Sequence, residues 1–114
     1  MENKSYSCCL ETVKPVRDAL DIINGKWKLP IIISISEGNE RFTDIQKSIP
    51  KLTPKVLAKE LKLLEQNKLI RREVTADYPV KISYKPELYA KTLGPIIYAL
   101  KEWGLNHRKM IFEK

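Results

Sequence analysis

Histidine occurs once, at His107, and glycine only at Gly25, Gly38, Gly94 and Gly104, each far from the next. The first scarcity leaves no nucleophile with a visible base beside it, and the second leaves no glycine-rich loop to cradle a phosphate. Cysteine is confined to the neighbouring pair Cys8 and Cys9. Adjacent residues rarely reach disulfide geometry and no other partners exist, so a disulfide framework is excluded. A zinc site built from that pair and His107 lacks both ligand spacing and a fourth ligand. No apolar run approaches the ~20 residues of a membrane span. The opening "MENKSYSCCL" has no apolar core segment, so no signal peptide is visible and the cytoplasm is the expected compartment. An enzyme, a metal site and a cofactor are therefore not expected.

What is present is a basic chain of one-domain size. Its 114 residues are 43% hydrophobic and 31% charged, the balance of a folded globular protein. The 21 Lys and Arg against 14 Asp and Glu give a formal charge of +7, which suits a polyanionic partner.

Hydrophobic spacing places the elements. Val13, Val16, Ala19, Leu20 and Ile23 predict a first helix near 15 to 24, with Pro15 in its first turn and Asn24-Gly25 as its stop. Residues 1–12 read as a flexible tail. "GKWKLPIIISISEG" is β-branched, yet from Lys26 to Glu37 apolar positions cover nearly the whole circumference of a helix, so a buried helix ended by Gly38 is expected. In "RFTDIQKSIP" Thr43 and Gln46 have capping-box spacing, predicting a short helix over 43–49 with Ile45 and Ile49 inward. Pro50 to Leu52 makes a tight turn. Thr53 as N-cap and Pro54 at the first helical position then open a helix over about 53–66. In it Leu57, Leu61 and Leu64 form an apolar seam, Lys55, Ala58, Lys59 and Lys62 lie opposite, and Asn67 is a plausible left-handed terminator. Beyond Leu69 the period changes to two. Ile70 and Val74, then Val80, Ile82 and Tyr84, predict a hairpin over about 69–85 turning at Thr75 to Pro79. Leu93, Ile96, Ile97, Leu100, Trp103 and Leu105 predict a long amphipathic helix over about 88–112.

A short helix, a three-residue turn, a second helix and a hairpin form a winged helix-turn-helix. The fold class is mainly α with a small β-hairpin, and the helix over 53–66 is the expected recognition helix. Its leucine seam faces its own domain, so Thr53, Pro54, Lys55, Ala58, Lys59 and Lys62 face outward, toward a major groove about 12 Å wide. Small Ala58 lets the backbone approach. Arg41 and Thr43 at the short helix, Lys51 in the turn and Lys81 on the wing are expected phosphate contacts. The other reading of these lysines is a solvated face on a winged helix that binds another protein without specific DNA binding.

The stretches "ALDIINGKWKLPII", "RFTDIQKSIPKLTPKVLAKELKLLEQNKLIRREV" and "VKISYKPE" resemble the HxlR family of bacterial winged helix-turn-helix regulators, over roughly Pro15 to His107. That resemblance implies a homodimeric transcription factor on double-stranded DNA, its N- and C-terminal helices exchanging contacts across a two-fold axis. Val16, Leu20, Ile97, Leu100 and Trp103 are the expected interface, and an inverted-repeat operator with half-sites ~34 Å apart follows. Many family members carry a sensing cysteine ahead of the first helix, where this chain has Lys14. Cys8 and Cys9 are thus redox candidates, although a tail pair with no task is the preferred reading. Tyr6, Trp27, Tyr98 and Trp103 lining a small-molecule effector pocket, or forming plain core, are likewise both open, as is His107 at the surface or the interface.

Overall fold

The computed structural model describes residues 6–112, with side chains from residue 10 onward. Five α-helices and one hairpin follow in order: α1 (Tyr6–Ile23), α2 (Lys28–Ser36), α3 (Phe42–Ser48), α4 (Pro54–Gln66), β1 (Ile70–Val74), β2 (Ile82–Pro86), a 3-10 segment (Leu88–Leu93) and α5 (Gly94–Phe112). No helix among the described residues is long and apolar enough to cross a membrane.

The core lies among α2, α3, α4 and the base of the hairpin. Ile31, Ile32 and Ile35 of α2 meet Ile45 of α3, the Leu57, Leu61, Leu64 seam of α4, and Leu52, Leu69, Ile70 and Ala90. Propensity would make the isoleucine run a strand; burial on several sides makes it a helix, because α3, α4 and β2 all pack around it. Pro30 sits in the first turn of α2, where its missing N–H leaves no bond unmade. Gly38 follows α2 with φ +107°, a conformation that a side chain would strain.

A chain of part-buried polar contacts holds α3 against α2. Ser48 Oγ donates to the Ile45 carbonyl (2.7 Å), the buried Ser34 hydroxyl meets Ser48 Oγ at 2.6 Å, and Asn39 Nδ2 donates to Ser34 Oγ (3.2 Å). Every member has a partner, which is what a buried hydroxyl requires. The strands pair antiparallel in the register Ile70↔Pro86 to Val74↔Ile82. Tyr84 N–H also donates to the Glu40 carbonyl (2.8 Å), so the hairpin is stitched to the α2–α3 loop.

Several boundaries differ from the sequence-based expectation. The first helix begins at Tyr6 rather than near 15, so residues 6–12 are helical backbone rather than tail and Pro15 stands inside the helix. The exposed apolar stripe Leu10, Val13, Val16, Leu20 runs straight through that proline. Water can reach the carbonyl that lacks its N–H on so exposed a helix, which lowers the penalty of an internal proline. The Thr43/Gln46 capping box does not form: Arg41 occupies the N-cap and Thr43 lies inside α3. Gln46 instead reaches forward, Nε2 donating to the Leu52 carbonyl (3.3 Å), and braces the turn. The left-handed residue after α4 is Lys68 (φ 63°), not Asn67. Leu69 N–H returns to Leu64 O and Lys68 N–H to Glu65 O, each at 3.0 Å, a Schellman closure with two buried leucines packed at its ends. The second strand starts at Ile82 rather than Val80, because Thr75 and Lys81 close the loop between them. The C-terminal helix is 3-10 over its first six residues, and α proper begins at Gly94.

Candidate nucleic-acid interface

Thr53 caps α4: its Oγ1 accepts from Val56 N–H at 3.2 Å, leaving the hydroxyl hydrogen free to donate outward. Pro54 begins the helix, and both residues are exposed. With Leu57, Leu61 and Leu64 buried, positions 55, 58, 59 and 62 share one exposed face at helical spacing. Lys55, Lys59 and Lys62 form no ion pair among the described residues, and small Ala58 lies between them. Glu60 would partly cancel Lys59 if the two pointed the same way. It does not: its carboxylate turns inward to Lys28, 2.9 Å away, and the only other acid on α4 is Glu65 near the far end. The front edge of α4 is therefore uniformly cationic.

Flanking cations extend that edge. Arg41 and Thr43 are exposed at the start of α3, Lys51 is exposed in the turn, and Lys81 is exposed at the end of the wing loop. Lys51 adopts φ 68°, a left-handed conformation that a lysine holds at a cost and that gives the turn its tight reversal. All ten sequence-predicted DNA residues thus lie at the surface, from the start of α3 through α4 to the wing.

Arg71 and Arg72 separate because successive strand residues face opposite ways. Arg71, although exposed, is spent on intramolecular bonds: Nε donates to Glu73 Oε2 (2.7 Å) and Nη1 to Glu87 Oε1 and the Pro86 carbonyl, 3.1 Å each. Hydrogen bonds donated to Glu73 and then to Glu87 raise the Arg71 pKa, and the bond from Arg71 holds the Glu73 carboxyl below the usual glutamate value. Arg72, opposite Tyr84, is exposed with no ion pair among the described residues. Arg72 was not among the residues expected from the sequence; strand alternation, which puts Arg71 on the face of Glu73 and Arg72 on the other, was the signal that separates the two.

The second candidate surface is apolar. No residue of α5 is buried, and Val16, Leu20, Leu100 and Trp103 stand exposed, Trp103 at 67%. His107 is exposed and stacks on Trp103 with centroids 4.9 Å apart. Ile97 differs from the other predicted interface residues: it is half-buried and lines a cleft of about 410 Å³ with Ile32 and Ile33 of its own domain. Lys14 is an exposed residue of α1, and the side chains of Tyr6, Cys8 and Cys9 lie outside the described residues.

Residues 22–111 match the model of the HxlR-like helix-turn-helix family. The chain belongs to that family. Among curated relatives, YdeP of Bacillus subtilis, named an uncharacterized HTH-type transcriptional regulator, is 37% identical over 97 residues, spanning 85% of this chain and 76% of the relative. Among solved structures, the reduced form of the redox regulator HypR is 33% identical with a TM-score of 0.79, covering 88% of this chain and 99% of HypR. The reduced form of the transcriptional regulator YodB from B. subtilis is 29% identical with a TM-score of 0.73, covering 85% and 91%. The HxlR-like chain shares with these proteins the winged-helix frame on which its cationic edge is mounted.

Proposed function

We propose that this HxlR-like chain is a cytoplasmic transcriptional regulator that binds double-stranded DNA sequence-specifically, as a homodimer on an inverted-repeat operator. The observation that carries this reading is the uncancelled cationic edge of α4, left clear because Glu60 turns inward. Thr53, Pro54 and Ala58 are short enough to meet base edges and thymine methyls when α4 lies in the major groove. Lys55, Lys59 and Lys62, with Arg41, Thr43, Lys51, Lys81 and Arg72, hold the phosphates on either side.

What α1 and α5 leave uncovered supports the dimer in this reading. The radius of gyration is 17.6 Å, against about 13 Å for a compact chain near this length, because these helices extend beyond the winged-helix body. Val16 and Leu20 on α1 and Leu100 and Trp103 on α5 all stand exposed, a display of large apolar side chains that suits an interaction surface. A second copy covers it with the same residues, and two α4 edges then address successive major grooves.

The test is duplex binding by fluorescence anisotropy across salt. Binding that weakens steeply from 50 to 200 mM salt, with one dimer per palindromic site, supports the reading. Absence of duplex binding at low salt would instead mean that the winged helix serves a protein partner.

A further inference from the structure

The inward carboxylate has a partner that local chemistry argues against. Lys28 is the first residue of α2, and a cation there opposes the positive end of the helix dipole. Its ammonium nevertheless sits 2.9 Å from Glu60 Oε1, with both side chains largely withdrawn from water, at 15% and 13% exposure. The contact is close but off the direction a hydrogen bond prefers, and Glu60 Oε1 has no aligned donor among the described residues. A withdrawn, poorly aligned ion pair contributes little net stability relative to apolar side chains of the same size. Its position is what distinguishes it. Glu60 stands on the flank of α4, one residue before Leu61 of the buried seam. Leucines along a single line let a helix roll about its own axis by repacking; a charge pair to one side of that line resists the roll.

We propose that Lys28 and Glu60 are positioning residues that fix the roll of the recognition helix and thereby set base discrimination rather than overall affinity. This rests on the DNA-binding reading above. The lysines that meet phosphates are long and rotate to follow a displaced backbone. Thr53, Pro54 and Ala58 are short, so a small roll removes their contacts with base edges while phosphate contacts persist.

The experiment compares wild type with two doubles that keep net charge constant, K28M/E60L and K28Q/E60Q, and with the charge swap K28E/E60K. Each is titrated with the duplex that wild type selects from a random pool and with a scrambled duplex, and each is melted thermally. The expectation is a fall of about ten-fold in the specific-to-scrambled affinity ratio for the doubles, the size of one lost base contact. The affinity for scrambled duplex, its salt slope and the melting temperature stay near wild type, and the swap recovers most of the ratio. If whichever double remains folded keeps the wild-type ratio, the inference is overturned while the DNA reading stands. Should wild type show no salt-dependent duplex binding, the DNA reading fails first and takes the inference with it.

Discussion

Replacing Lys51 by glycine should make the protein more stable and a poorer DNA binder at once. The turn between α3 and α4 holds Lys51 at φ 68°, where a residue with a Cβ costs roughly 1–2 kcal/mol. Glycine removes that cost but gives the unfolded chain more freedom, worth about 0.4–1 kcal/mol in the other direction. The net is a gain of roughly 0.5–1 kcal/mol, which raises the melting temperature by about 2–6 °C for a domain of this size. The same change deletes one proposed phosphate contact, so the slope of log K against log salt should fall by about 0.9. Over a four-fold rise in salt, wild type then loses about 3.5-fold more affinity than the variant. Two controls separate the effects. Lys51→Ala keeps the strained φ, so it should lose the slope without the stability gain. Lys68→Gly relieves the same strain at φ 63° behind α4 and should gain stability with an unchanged slope. A lower melting temperature for Lys51→Gly would refute the strain argument; an unchanged slope would remove Lys51 from the interface.

Leu61→Ala, in a seam position only 2% exposed, should cost about 2–5 kcal/mol by chemical denaturation, whereas Lys62→Ala on the opposite face should change stability by less than ~0.5 kcal/mol. Ser34→Ala removes the acceptor of Asn39 Nδ2 and the hydroxyl partner of Ser48, both of which water can reach, and should cost about 0.5–1.5 kcal/mol in the same assay. Glu73 has a folded pKa below its unfolded value, so its stabilising contribution is present above the unfolded value and is lost as pH falls through the folded one. Carboxyl chemical shifts followed by NMR should therefore show Glu73 titrating below an ordinary glutamate, and should lose that depression in Arg71→Ala. Trp103→Asp in α5 should convert the proposed dimer to monomer in sedimentation velocity while leaving the winged-helix body folded; a dimer unchanged by it would relocate the interface.

The order of elements was legible because each rests on local chemistry that the chain carries in its own neighbourhood. Thr53 followed by Pro54 starts a helix wherever it stands, and the Leu57, Leu61, Leu64 spacing fixes which side of that helix is dry. Those two facts alone put Lys55, Ala58, Lys59 and Lys62 on the outside. The change of period after Leu69 marked the hairpin for the same reason.

Tertiary structure decided the questions in which a side chain had more than one partner within reach. The Thr43 and Gln46 spacing fits a capping box, yet the Leu52 carbonyl beyond the turn takes the glutamine, because the bend between α3 and α4 brings it within 3.3 Å. Glu60 and Lys59 are neighbours in sequence and face apart in space; only the docking of α2 on α4 shows that the acid is matched to Lys28. Arg71 and Arg72 look alike as letters, and the ladder register with Glu87 beyond the strand end separates a structural arginine from a free one. Sequence thus determined which surfaces exist, since periodicity is a property of one element at a time. Which charges remain on those surfaces depends on contacts between elements, and no single helix or strand carries that information.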